Sequence, residues 1–225
     1  MLRTALNMHP SVVAKTEMFN PDWTAGEPFD DSAPAQAVLD GHIFCTYPPH
    51  VAAVGFILHR SGARFGHWPR LWQLLEEDVE LHIISLRRQN LLLRYLSYQA
   101  MRDRQRNRPR IARYLDPVEL REEFEKQEQE LAEFDQRFGG HPLIKVSYEQ
   151  LCSDYSATMR RLQVFIGAPF APIIPGTRRN APSPLRQSVA NLDELIESFA
   201  ASRWSWFFRE APPGAGFQAR LAVEI

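Results

Sequence analysis

Two adjacent arginines, Arg87 and Arg88, with Asn90 and Ser97 after them, are the residues whose types and spacing best suit chemistry. They follow the apolar run Leu81, Ile83, Ile84 and Leu86, which reads as a buried strand because it is short and β-branched at its centre. Leu91, Leu92, Tyr95, Leu96 and Tyr98 then recur at three- and four-residue spacing, which predicts a helix capped by Asn90. Arginines at a strand's carboxyl end stand where open α/β sheets bind ligands. A guanidinium there, with a helix hydroxyl two turns on reaching back, makes a compact phosphate clamp. These residues leave a structural alternative open: solvated arginines at a strand end, and a Ser97 hydroxyl bonded to a backbone carbonyl.

Other chemistries find little to use. Cys45 and Cys152 are the only two cysteines and lie far apart, so they make neither a disulfide framework nor a metal site. No group of histidines, cysteines and carboxylates has metal-ligand spacing. A net charge of −1 on 225 residues gives no broad attraction to nucleic acid or to a membrane surface. The basic run Arg102–Arg113 suits a solvated helix end better than a nucleic-acid face, since no aromatics interleave it. An acidic acceptor is the other ligand it fits. No apolar run is long enough to span a membrane, and the first residues are too polar for a signal peptide. The expected location is cytoplasmic, in a reducing compartment.

The elements that must position these residues alternate between strand and helix patterns. Leu2, Ala5, Leu6 and His9 share a helix face that ends at Pro10, with nothing before it to cap the first amides. Ser11–Pro21 reads as a short strand and a loop, residues 19–37 as a long surface loop, and Ala35–Leu39 as a short helix. Val51–Arg60 is the next strand, with His59 at its end, and Trp68–Glu77 makes an amphipathic helix leading to the strand before Arg87. Strand, helix and strand in that order predict a right-handed parallel crossover. Asp116-Pro-Val-Glu119 is a helix start and Gly139-Gly140 its stop. Pro142–Ser147 is a further strand, followed by Tyr148-Glu-Gln-Leu and a helix from Ser153 or Asp154 to Gly167. A proline-rich loop, Pro169–Ser188, carries Arg178 and Arg179, and Asn191–Leu195 opens the last helix. The aromatics of Trp204–Phe208 either pack inside the fold or meet a second copy in a homodimer. The expectation is one α/β domain over residues 1–210 and a disordered tail over 211–225.

The segments, in this order, resemble those of the bacterial sulfotransferases that use 3′-phosphoadenosine-5′-phosphosulfate (PAPS), such as the trehalose- and nodulation-factor-sulfating enzymes. The resemblance rests on Leu-x-x-x-Leu-x-x-His-Pro-x-Val with Glu17 beyond it, on Arg87-Arg88-x-Asn90 with Ser97, on Val146-x-Tyr148-Glu149-x-Leu151, and on Asn191-x-Asp193-Glu194-Leu195. It implies a three-layer, mostly parallel sheet of the P-loop nucleotide-binding kind. It implies that Arg88 and Ser97, with Arg87 in reserve, hold the 3′-phosphate. Glu17 takes the family's general-base position; His59 is the alternative base, and Arg178 and Arg179 match a basic position that closes over the nucleotide. Bland readings of these four remain: a solvated loop glutamate, a surface histidine and two exposed loop arginines. The implied reaction moves a sulfuryl group from PAPS to a hydroxyl of a carbohydrate or glycolipid acceptor, without a metal. Two departures stand out. The family's first strand and glycine-rich 5′-phosphosulfate loop are missing before Leu2, and Ile57 stands where the family carries a lysine. The expectation is a start placed late or a truncation; the alternative is a non-catalytic, sulfotransferase-like nucleotide-binding or assembly protein.

Overall fold

The computed structural model describes residues 2–19, 33–59, 68, 70–109, 111–174 and 184–209. The expected tail, 211–225, lies outside them. About half of the described residues are helical, and the strands are short and paired two by two, so the fold class is α/β. The chain divides into two compact units. The first takes Met1–Ser85, Arg137–Val146 and Asp154–Arg178; the second takes Leu86–Gln136, Ser147–Ser153 and Arg179–Ile225.

The first unit opens with α1 (Leu2–Leu6), which stops short of the expected Pro10, and turns through a buried His9 into β1 (Val12–Lys15). His9 is structural. Its Nδ1 accepts from Ser11 N–H at 3.0 Å and its Nε2 lies 2.7 Å from the Pro169 carbonyl, so both ring nitrogens are satisfied. The Asn7 side chain bonds both the N–H and the C=O of Ala14, at 2.6 and 2.7 Å, and so stands in for a neighbouring strand on that edge. After α2 (Ala35–Val38), which runs on into a π-helical turn at Leu39–Ile43, β2 (Ala53–Phe56) pairs parallel to β1, with Val12 opposite Ala53 and Lys15 opposite Phe56. Among the described residues of the Val51–Arg60 run four form strand, and all four are half-buried. α3 (Leu71–Glu77) buries Leu71 and Leu75, and Trp68 before it meets the Phe19 ring edge-on at 5.2 Å.

β3 (Ile83–Arg87) pairs with β4 (Leu143–Ser147) and not with β2, which replaces the expected crossover through α3. Ile83 N–H bonds the Pro142 carbonyl at one end, and Gln89 N–H bonds the Glu149 carboxylate at the other, so the two strands run in the same direction. The chain between them is helical: α4 (Leu91–Gln105) and α5 (Pro117–Arg137). Asp116 caps α5 as expected, accepting from Val118 N–H at 2.8 Å and Glu119 N–H at 3.1 Å. α6 (Tyr148–Ser153) follows β4 directly. α7 (Tyr155–Phe165), capped by Asp154, belongs to the first unit.

In the second unit Leu91 and Leu92 of α4 pack with Leu120 and Phe124 of α5, with α8 (Leu185–Ser188), α9 (Leu192–Phe199) and a 3-10 turn at Ser205–Phe208. Phe124 is the hub, its ring 5.2 to 5.7 Å from those of Phe207, Trp204 and Phe199. This decides between the two readings of the C-terminal aromatics. Trp204, Phe207 and Phe208 are core residues, and Trp206 faces outward. Arg113 and Val189 form a parallel bridge, and Asn191 ties the Leu115 backbone at 3.0 and 2.9 Å, which fixes the chain entering α5 to the start of α9.

Candidate functional site

The first candidate group lies at the carboxyl edge of the β1–β2 pair. Because the strands are parallel and end in register at Lys15 and Phe56, the residues just beyond them emerge on the same edge. Glu17 stands two residues past β1 and His59 three past β2. Their side chains meet: His59 Nε2 lies 2.8 Å from Glu17 Oε1. A carboxylate only accepts, so Nε2 is the donor in this contact. His59 is the more open partner, 61% exposed against 23% for Glu17. The sequence offers these two residues as alternative bases; the fold makes them one pair. The carboxylate orients the imidazole through Nε2 and leaves Nδ1 as the other ring nitrogen.

The second group surrounds the turn from β3 to α4. Asn90 caps α4, its Oδ1 accepting from Leu93 N–H at 3.0 Å, while its Nδ2 donates to the Phe207 carbonyl at 2.9 Å. Arg87 turns to α5, where both terminal nitrogens bond the Asp135 carboxylate, Nη1 to Oδ2 at 3.0 Å. That bidentate pair binds the strand end to the helix. Arg88 instead lies along the start of α4. Its Nη1 donates to the Leu93 carbonyl at 3.1 Å, and its guanidinium sits 5.0 Å from the Tyr148 ring centre. Leu93 C=O is also the helical acceptor of Ser97 N–H, four residues on. The Arg88 head and Ser97 therefore lie one turn apart on α4, and Ser97 is exposed.

No protein-family model, curated protein or solved structure matches the chain. Local geometry alone therefore weighs the candidates. Two partners of Arg88 went unnamed as site residues in the sequence, Tyr148 and Glu149. Glu149 Oε1 lies 3.9 Å from Arg88 Nε, and Oε2 accepts from Gln89 N–H at 3.0 Å. Their signal was the Val-x-Tyr-Glu motif itself: it follows β4 directly, so a strand parallel to β3 delivers it beside the arginines. Arg178 and Arg179 lie outside the described residues. Arg94, one turn into α4, is half-buried against α5; desolvation lowers its pKa while Glu123 opposes the shift, and its Nη1 bonds Gln127 Oε1 at 3.0 Å. A surface pocket of about 220 Å³ between Tyr95, Tyr114, Leu115 and the acidic start of α5 holds none of the candidate residues.

Among the described residues no helix is long and apolar enough to cross a membrane.

Proposed function

We propose that this chain is a sulfotransferase that moves a sulfuryl group from PAPS to a hydroxyl of a carbohydrate or glycolipid acceptor. The observation that carries the reading is the 2.8 Å contact between His59 and Glu17 at the carboxyl edge of two parallel strands. A hydroxyl attacks sulfur poorly until its proton is being taken, and this pair is built to take one. In the proposed step the acceptor oxygen bonds to sulfur as the bond from sulfur to the 5′-phosphate oxygen breaks. 3′-Phosphoadenosine-5′-phosphate leaves, and the hydroxyl proton passes to His59 Nδ1. Glu17 accepts from Nε2–H throughout and offsets the new positive charge. Arg88, with Ser97 a turn away, holds the 3′-phosphate; Arg178 and Arg179 are proposed to close over the nucleotide. A three-layer P-loop-like arrangement and a cytoplasmic location belong to the same proposal.

Calorimetric titration with 3′-phosphoadenosine-5′-phosphate, with 5′-AMP as control, tests the nucleotide half. Selective binding that Arg88→Ala removes supports it; equal affinity for the two nucleotides sinks it. A second reading, a nucleotide-binding or assembly protein without catalysis, draws on the engagement of both strand-end arginines, Arg87 by Asp135 and Arg88 by the Leu93 carbonyl. Selective binding without sulfuryl transfer to any of a panel of sugars and glycolipids would favour it.

A further inference from the structure

Glu149 holds an unusual position for a residue so close to a candidate phosphate clamp. Its carboxylate bridges the turn from β3 to α4, with one oxygen on the Gln89 amide at 3.0 Å and the other 3.9 Å from Arg88 Nε. The side chain is 36% exposed and Arg88 is 19% exposed, so solvent screens the pair only in part. A backbone N–H donating to an anion, with a guanidinium nitrogen close enough for charge attraction, is an arrangement that suits a phosphate oxygen. Here a carboxylate of the chain itself fills that place. Tyr148, the preceding residue, presents its ring to the same guanidinium, so β4 and α6 deliver both contacts from one short segment.

We propose that Glu149 is an internal competitor for the 3′-phosphate: it occupies the anion position at Arg88 and Gln89 in the empty protein and must give way when nucleotide arrives. The inference rests on the reading of Arg88 as a phosphate ligand. Its consequence has a sign that a merely structural contact would not produce. Removing a contact that only shapes the site weakens binding, whereas removing a competing charge strengthens it. A carboxylate within a few ångströms of an incoming phosphate repels it on the scale of a partly screened like-charge pair. Glu149→Gln keeps an oxygen for the Gln89 amide and removes the charge.

The test is calorimetric titration of native chain, Glu149→Gln and Arg88→Ala with 3′-phosphoadenosine-5′-phosphate and with 5′-AMP, each variant first checked for a native thermal transition. The expected result is about tenfold tighter binding of the 3′-phosphorylated nucleotide to Glu149→Gln, about 1.4 kcal/mol, with 5′-AMP unchanged. Selective binding that is lost in Arg88→Ala but is unchanged or weaker in Glu149→Gln overturns the competitor role and leaves the clamp standing. Absence of selective binding in native chain and Glu149→Gln alike overturns both.

Discussion

Asn90 joins the start of α4 to the C-terminal aromatic turn, and replacing it with alanine breaks two hydrogen bonds at once. Its Oδ1 caps the helix through Leu93 N–H, and its Nδ2 reaches the Phe207 carbonyl, 117 residues away. The residue is 7% exposed, so water does not readily replace either bond. Loss of the cap costs about 1 kcal/mol. Leaving the Phe207 carbonyl without its donor costs about 1–3 kcal/mol more. The expected total is about 2–4 kcal/mol, and with a urea slope of about 2 kcal/mol per molar the midpoint falls by about 1–2 M. Urea titration followed by far-UV circular dichroism and by tryptophan fluorescence reads this, since Trp204 is buried in the same cluster. Asn90→Ser separates the two bonds: its hydroxyl still accepts from the helix but is too short to replace the amide at Phe207, so an intermediate loss is expected. An Asn90→Ala loss below about 0.5 kcal/mol, or an Asn90→Ser variant as stable as the native chain, refutes the two-bond argument.

Other perturbations follow from the same geometry. His59→Ala is expected to lower kcat for sulfuryl transfer by about 10²–10⁴-fold, and Glu17→Gln by less, measured with labelled PAPS on an accepting sugar; equal rates in all three chains would remove the pair from the reaction. Gly167 ends α7 at φ +69, with its own N–H on the Val164 carbonyl and the next N–H on the Gln163 carbonyl. A Cβ there meets nothing within 4 Å, so Gly167→Ala should cost only the backbone strain, about 1 kcal/mol in a thermal melt. The Arg186 guanidinium hydrogen-bonds Asp193 and holds its carboxyl below the ordinary 3.8. A lowered folded pKa stabilises above the unfolded value, and the effect fades as pH falls through the folded one. Arg186→Ala should return the Asp193 titration to its ordinary position by carbon-detected NMR.

The features that proved legible in the sequence are those that local chemistry decides. Asn90, Asp116 and Asp154 each cap the helix their position announces, because an N-cap needs only a short polar side chain and the amides two or three residues on. Gly167 ends its helix for an equally local reason. Pairings between distant segments were not legible. Asp135 as the partner of Arg87 is one helix face among several rich in carboxylates, and only the packing of α5 selects it. The pairing of β3 with β4, and not β2, follows from tertiary contacts that no short apolar run encodes. His9, read as part of a helix face, is buried by a hydrogen bond to a carbonyl 160 residues away.

The contrast between the two candidate groups has a single physical origin. A parallel strand pair places the chain just beyond both carboxyl ends on one edge, so residues far apart in sequence meet there without a dedicated turn to join them. Glu17 and His59, 42 residues apart, meet this way beyond β1 and β2; Arg88 and Glu149 meet the same way beyond β3 and β4. What differs is the polarity of each meeting. At the first edge a carboxylate accepts from an imidazole N–H. At the second a carboxylate lies 3.9 Å from a guanidinium nitrogen, and the proposed phosphate would compete with it. Under the proposed function a charge-removing change should therefore act in opposite directions at the two edges. Glu17→Gln is expected to slow sulfuryl transfer, and Glu149→Gln to tighten binding of the 3′-phosphorylated nucleotide.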